Sequence, residues 1–261
     1  MHQGVQVTRD DAILTVTLDR PNANAIDAAT SRALYAAFDD YANDDSLRVA
    51  ILTAAGERFF SAGWDLHAAA AGEQGPDVDY GPGGFAGITE LWHCNKPIIA
   101  AVNGMAAGGG FELALTADLV VAAEHAEFFL PETGIGIIAD AGGTIRLPRK
   151  VPYNVAVDLM LTGRRLSAEE GRQLGFVNRV VDAGRVHEEA RLLAHQIIEK
   201  APLAITALLA TLRRVHHEPV ANAFSAMREQ VPEYQSMLTS ADAGEGPRAF
   251  AQGRKPQWSG R

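Results

Sequence analysis

Three consecutive glycines, Gly108-Gly109-Gly110, stand directly before Phe111-Glu112-Leu113-Ala114-Leu115. The run after them reads as a short helix, so the glycines sit at its start. Backbone N–H groups in a first helical turn have no acceptor within the helix, and glycine puts no side chain in a ligand's way. Such donors can hold an oxyanion developing on a carbonyl compound. A triple glycine alone more often serves close helix packing. Glu112, near the same helix start, shifts the balance toward chemistry, although a first-turn acid is also favoured by the helix dipole. Twenty residues on, Glu132 follows the apolar run Phe128 to Leu130 through Pro131. Alone it reads as a solvated loop acid. Two acids beside an oxyanion site are the simplest kit for general acid–base work on a carbonyl compound. Gly56-Glu57-Arg58-Phe59-Phe60-Ser61-Ala62-Gly63-Trp64-Asp65-Leu66 is the second segment that reads as part of such a site.

Other signatures fail. Gly134-Ile135-Gly136-Ile137-Ile138-Ala139 has glycine spacing reminiscent of a dinucleotide fingerprint, but it lies in mid-chain with no second strand ending in an acid. His216 and His217 are adjacent and diverge on a helix, so they make a poor metal pair. Ser61 lacks the nucleophile-elbow pattern. Cys94 reads as a small core hydrophobe, and no metal site is expected.

The elements that must position the acids follow from periodicity. Ala12 to Leu18 alternates, with Leu14, Val16 and Leu18 on one face and Thr15 and Thr17 on the other, and predicts a half-buried strand. Asn24 to Asp44 predicts a helix, with Leu34, Phe38 and Tyr41 on one face. Val49–Thr53, Pro97–Val102 and Leu119–Ala122 predict buried strands. Residues 71–87 hold six glycines and two prolines, a loop too long to be a mere connector. Ser167 and Glu170 predict a capping box. Helices are expected over Glu188–Lys200, from Pro202 onward with Ile205, Leu208, Leu209 and Leu212 on one face, and across Phe224 to Leu238. No tandem repeat is visible. The pattern is an α/β catalytic core over 1–195 and a helical region over 196–261, whose apolar stripes need a partner surface.

The 261 residues carry 23 basic and 32 acidic side chains, a net charge of −9. That field disfavours non-specific binding to nucleic acid or anionic membranes. One cysteine excludes an intramolecular disulfide and fits a reducing compartment. The start shows no signal-peptide pattern, and the charge-free run Pro97–Phe111 is too short and polar to span a bilayer. A cytoplasmic protein without nucleic-acid or membrane partners is expected.

The two glycine-bearing segments resemble the crotonase (enoyl-CoA hydratase/isomerase) superfamily, and the resemblance covers essentially the whole chain. Leu18-Asp19-Arg20-Pro21-Asn22-Ala23-Asn24-Ala25-Ile26-Asp27, Phe60 to Leu66, Gly81-Pro82-Gly83-Gly84-Phe85-Ala86-Gly87 and Gly244-Glu245-Gly246-Pro247-Arg248-Ala249-Phe250 are similar to its carnitinyl-CoA dehydratase branch. The resemblance implies a spiral of ββα units with C-terminal helices that assemble a homotrimer or a dimer of trimers. It implies an acyl-CoA substrate, with coenzyme A as part of that substrate and no separate cofactor. The activity implied is a hydro-lyase reaction that interconverts carnitinyl-CoA and crotonobetainyl-CoA, or, alternatively, general short-chain enoyl-CoA hydration.

By the same resemblance, the backbone N–H groups of Trp64 and Gly109 form the oxyanion hole, and Glu112 and Glu132 are the paired acids. Ala23, Ala25, Ala62 and Leu66 fall in segments that meet coenzyme A, and Gly108 and Phe111 are carried over as substrate-contacting positions. Many hydratases have Pro-Gly where this chain has Ala139-Asp140. Asp140 is therefore expected to recognise a substrate cation, with Trp64, Trp92, Phe85 and Phe111 as possible cation–π faces, against the plainer reading that these rings are core. A lysine that often follows the aromatic at the position of Phe250 is replaced, with Arg254 and Lys255 nearby. RNA binding and a non-catalytic assembly role are the readings from other classes. The acidic balance opposes the first and the retained glutamates oppose the second.

Overall fold

The computed structural model describes residues 4–73 and 78–261. The expected loop over 71–87 therefore lies partly outside the described residues, as do the first three positions. The chain forms two compact units, one from residues 1–94 and 98–194, the other from 95–97 and 195–261.

In the first unit, β1 (Val5–Asp10) and β2 (Ile13–Leu18) form an antiparallel pair. β1 exposes all but Val5, so no apolar alternation announces it in the sequence. β2 is buried more fully than alternation predicts. Thr15 is in the interior because β2 lies between β1 and β3 (Val49–Ala54), with helices over the sheet. The helix expected from Asn24 is interrupted. A single turn, α1 (Pro21–Asn24), precedes an extended stretch, and α2 (Ala28–Asn43) begins after Asp27. Asp27 caps it, accepting from the Thr30 N–H at 2.7 Å and the Thr30 hydroxyl at 2.6 Å. The extended break lets Ile26 pair with Trp64 as an isolated bridge.

A structural repeat then appears that no residue repeat foreshadows. Strand β3 leads to β4 (Phe59–Ser61) and α3 (Leu66–Ala70). β5 (Ile98–Val102) leads to β6 (Met105–Ala107) and α4 (Gly109–Thr116). β7 (Leu119–Ala123) leads to β8 (Glu127–Phe129), a 3₁₀ turn and α5 (Gly143–Lys150). The unit continues with α6 (Tyr153–Thr162), β9 (Leu166–Ser167), α7 (Ala168–Leu174) and β10 (Arg179–Val181), and ends within α8 (Val186–Ile198), at residue 194. The first strand of each repeat joins a six-stranded sheet of order β1-β2-β3-β5-β7-β10, and the second joins a four-stranded sheet of order β4-β6-β8-β9. The large sheet is parallel beyond β2. Its central strand β5 is buried throughout, as a parallel sheet covered on both faces requires. Ser167 caps α7 through the Glu170 N–H at 3.1 Å, but the Glu170 carboxylate pairs with Arg164, so only half of the expected capping box forms.

The small sheet brings the candidate site segments together. It pairs Ser61 with Ala106, and Ala107 with Phe129. The segments leaving β4, β6 and β8 therefore emerge side by side, carrying residues 62–66, 108–112 and 130–132.

The second unit holds α9 (Pro202–Val215), α10 (Val220–Gln230), α11 (Pro232–Thr239) and α12 (Ala241–Ala251). The single helix expected across Phe224–Leu238 is two helices, because Pro232 cannot continue the hydrogen-bond ladder. In α9 the buried side is Ala207 and Ala210, while Leu208 and Leu212 of the expected stripe are exposed. Among the described residues no single helix is long and apolar enough to cross a membrane.

Candidate active site

Two backbone donors converge where β4 and β6 end. Gly63 has φ +80°, and a Cβ there would lie 2.6 Å from both the Ala107 carbonyl oxygen and the Gly109 nitrogen. Glycine is thus required by conformation and by space. A Cβ on Gly110 would lie 2.2 Å from the Ser61 carbonyl oxygen. Ser61 steadies the segment, donating to the Asn24 carbonyl at 2.7 Å and accepting the Gly63 N–H at 3.0 Å. Gly63 O accepts from Ile26 N–H at 2.7 Å, and Asp65 N–H donates to Ile26 O at 2.9 Å. In this bridge the intervening Trp64 N–H points the other way, and it has no acceptor among the described residues. Gly109 opens α4 and its N–H is likewise without one. Two unpaired N–H groups from adjacent chain segments form a cradle of the kind that can hold an oxyanion.

Both glutamates are buried beside it, Glu112 at 3% and Glu132 at 7% exposure. Glu112 lies in the first turn of α4, and its Oε1 accepts the Gly143 N–H at 2.7 Å. Burial pushes Glu112 up to about 7, the backbone N–H groups of Gly143 and Ala141 opposing the rise and the charges of Glu132 and Asp140 adding to it. Burial also raises Glu132, opposed by its own backbone N–H and reinforced by Asp140. Its Oε1 sits 2.7 Å from where a Cβ on Gly108 would be, so a side chain there would displace the carboxyl, and Gly108 has φ +53° besides. Its Oε2 is buried with no hydrogen-bond partner. Near neutral pH the pair can therefore present one protonated and one ionised carboxyl group, as proton delivery and removal require.

A family model for enoyl-CoA hydratase/isomerase matches residues 8–261. The chain belongs to the enoyl-CoA hydratase/isomerase family. A carnitinyl-CoA dehydratase from Salmonella typhi is 53% identical over 262 residues, spanning all of both chains. Among solved structures, an enoyl-CoA hydratase from Mycobacterium tuberculosis H37Rv superposes with a TM-score of 0.90 at 41% identity, covering 99% of each chain. One from Mycobacterium marinum superposes with 0.91, also at 41% identity and 99% of each chain. The crotonase-type α/β spiral expected from sequence is the fold observed.

Within this family member, the remaining expected site residues separate into two groups. Ala23 accepts the Ala62 N–H at 2.9 Å, and Ala25 precedes the Ile26–Trp64 bridge, so the two expected coenzyme A segments lie together. Leu66 begins α3 and is exposed. Asp140 is exposed on the turn before Gly142-Gly143 and bears on both glutamates. Phe111 is a correction: its ring is fully buried, 5.2 Å from that of Phe128 and 5.4 Å from that of Phe176, so it is core and offers no face to a ligand. Trp92 is not core: it is 72% exposed, and its face already meets the Arg146 guanidinium, 5.9 Å from the ring centre. The Gly134–Ala139 run holds part of an exposed 3₁₀ turn. Arg254 is held by Glu245 at 2.5 Å. Sequence reasoning missed Gly143, whose N–H grips Glu112, and Tyr80, whose ring stacks edge-on against Phe85 at 5.5 Å.

Proposed function

We propose that the chain reversibly dehydrates carnitinyl-CoA to crotonobetainyl-CoA. The observation that carries this reading is the buried Glu112–Glu132 pair beside two unpaired N–H groups, in a chain 53% identical to a carnitinyl-CoA dehydratase over both full lengths. In this reading the thioester oxygen accepts from Trp64 and Gly109 N–H, which stabilises the enolate formed when the α-proton leaves. One such donor contributes about 3–4 kcal/mol in the transition state. The ionised glutamate takes the α-proton, the protonated one delivers its proton to the β-hydroxyl, and water departs as the C=C bond forms. The reverse steps hydrate the double bond. The two acids act as a coupled unit.

The reaction so written needs no group beyond the coenzyme A of the substrate. Ala23, Ala25, Ala62, Leu66 and Gly108 are assigned to coenzyme A and substrate contacts through their backbone. The chain is assigned to a homotrimer or dimer of trimers in the cytoplasm. The second reading, a general short-chain enoyl-CoA hydratase, is favoured by the 41% identity to solved enoyl-CoA hydratases. Comparing kcat/KM for crotonobetainyl-CoA and crotonyl-CoA separates them, and a large preference for the uncharged thioester overturns the first.

A further inference from the structure

Beyond the oxyanion cradle the site continues into a cluster of rings and acids that proton transfer does not use. The Phe85 ring lies 2.4 Å from where a Cβ on Gly109 would stand, so it covers the glycine that supplies one donor. Tyr80 meets Phe85 edge-on at 75°. Tyr80 is therefore one ring away from the reacting carbonyl. Trp64, which supplies the other donor, buries its indole N–H. Burial, with the charges of Glu73 and Asp140, pushes the Tyr80 phenol up, and the neighbouring Trp64 indole only opposes that rise. Two carboxylates bear on the same phenol. Asp140 stands on the turn that also positions Gly143 against Glu112, and Glu73 is fixed by the Ala28 N–H at 2.6 Å. Asp140 makes no ion pair or hydrogen bond among the described residues. Arg146, on the helix that follows it, donates to the Thr89 carbonyl at 2.6 Å and lies over Trp92.

Resting on the reading above, we propose that Tyr80 and Trp64, with the carboxylates of Asp140 and Glu73, form a box for the quaternary ammonium end of the acyl chain. The chemistry selects that ligand. An aromatic face attracts a poorly hydrated cation most strongly, and a quaternary ammonium donates no hydrogen bond and so needs faces and charge rather than acceptors. A neutral alkyl end would gain nothing from the two acids. Tyr80 is thus a specificity residue, and Glu73 shapes the field from a fixed position.

The test is the ratio of kcat/KM for crotonobetainyl-CoA over crotonyl-CoA, a quantity independent of the fraction of folded enzyme. Tyr80→Ala and Asp140→Asn are each expected to lower that ratio about tenfold, chiefly through KM for the charged substrate, from the cation–π and charge contributions removed. Tyr80→Phe, which keeps the ring, is expected to retain most of it. If the parent enzyme prefers the charged thioester and both Tyr80→Ala and Asp140→Asn leave the ratio intact, the box is wrong and the dehydratase reading stands. If the parent enzyme prefers crotonyl-CoA, the reading falls and the box falls with it.

Discussion

Replacing Glu112 by glutamine should stabilise the protein while disabling it, and the gain should depend on pH. A carboxyl raised from 4.5 to about 7 by folding holds its proton in the native state where the unfolded chain has lost it. Between those values the native state binds more protons, so raising the pH favours unfolding, and the cost levels off once Glu112 is ionised in both states. The rise corresponds to about 3 kcal/mol. Glutamine does not titrate, and its amide oxygen can still accept the Gly143 N–H that Glu112 accepts at 2.7 Å. The stability difference between Glu112→Gln and the parent should therefore grow by about 3 kcal/mol from pH 4.5 to pH 8, then stay flat. For a chain of this size that is roughly 6–12 °C in Tm at pH 8. Urea unfolding at fixed subunit concentration, repeated across pH 4.5–8.5, measures the difference curve. A pH-independent difference, or a variant that loses ground as pH rises, refutes the argument that burial holds this carboxyl near neutrality.

Three further outcomes test the site and its supports. Glu132→Gln should lower kcat by about 10²–10⁴ with little change in KM, because the role proposed for its carboxyl is proton transfer rather than holding coenzyme A; steady-state kinetics reads this directly. Gly63→Ala would put a methyl group 2.6 Å from the Gly109 nitrogen, displacing the cradle, so kcat should fall about 10²-fold or more even in protein that folds with native circular dichroism. Asp27→Ala removes the cap of α2 and should cost about 1 kcal/mol at pH 7 by denaturant titration. Burial works to raise the Asp27 carboxyl, but the Thr30 hydroxyl and N–H and the Arg20 charge outweigh it and hold it below 3.8. Its stabilisation is present above 3.8 and lost as pH falls lower, so the gap between variant and parent should close in strong acid.

The strands of the large sheet were legible where burial is complete. β3, β5 and β7 are short apolar runs of strand length, and all three are buried almost throughout. β1 was illegible because one buried residue in six leaves no pattern. The break between α1 and α2 was illegible for another reason. Ala23 and Asn24 turn through positive φ and residues 25–27 run extended, a path held by pairing with residues 62–65, which lie almost forty positions away. The spiral repeat is a matter of which sheet each strand joins, and residue identity does not encode that directly. In the site, Glu112 was readable because a glycine-rich helix start marks where donors face a ligand. Its grip by Gly143 was not, since that N–H comes from 31 residues downstream and carries no side-chain signal.

Electrostatics gives a reason for backbone donors in the proposed site. The chain is acidic overall, and its substrate class is anionic through coenzyme A, yet the groups proposed for the reacting centre are two backbone N–H groups and two carboxyl groups rather than lysines or arginines. Its donors are peptide dipoles, and both carboxyl groups are pushed toward the neutral form. A lysine in place of either N–H would attract the thioester and any anion in the ground state, lowering KM without selectively favouring the enolate. Fixed dipoles interact weakly with a neutral carbonyl and strongly with the negative charge that develops on it, and they need no reorganisation when it appears. Burial of Glu112 and Glu132 acts in the same direction. It raises the energy of the ionised base before reaction, at a cost to stability, and in the proposed reaction the transition state moves that negative charge onto the thioester oxygen, which the fixed dipoles face.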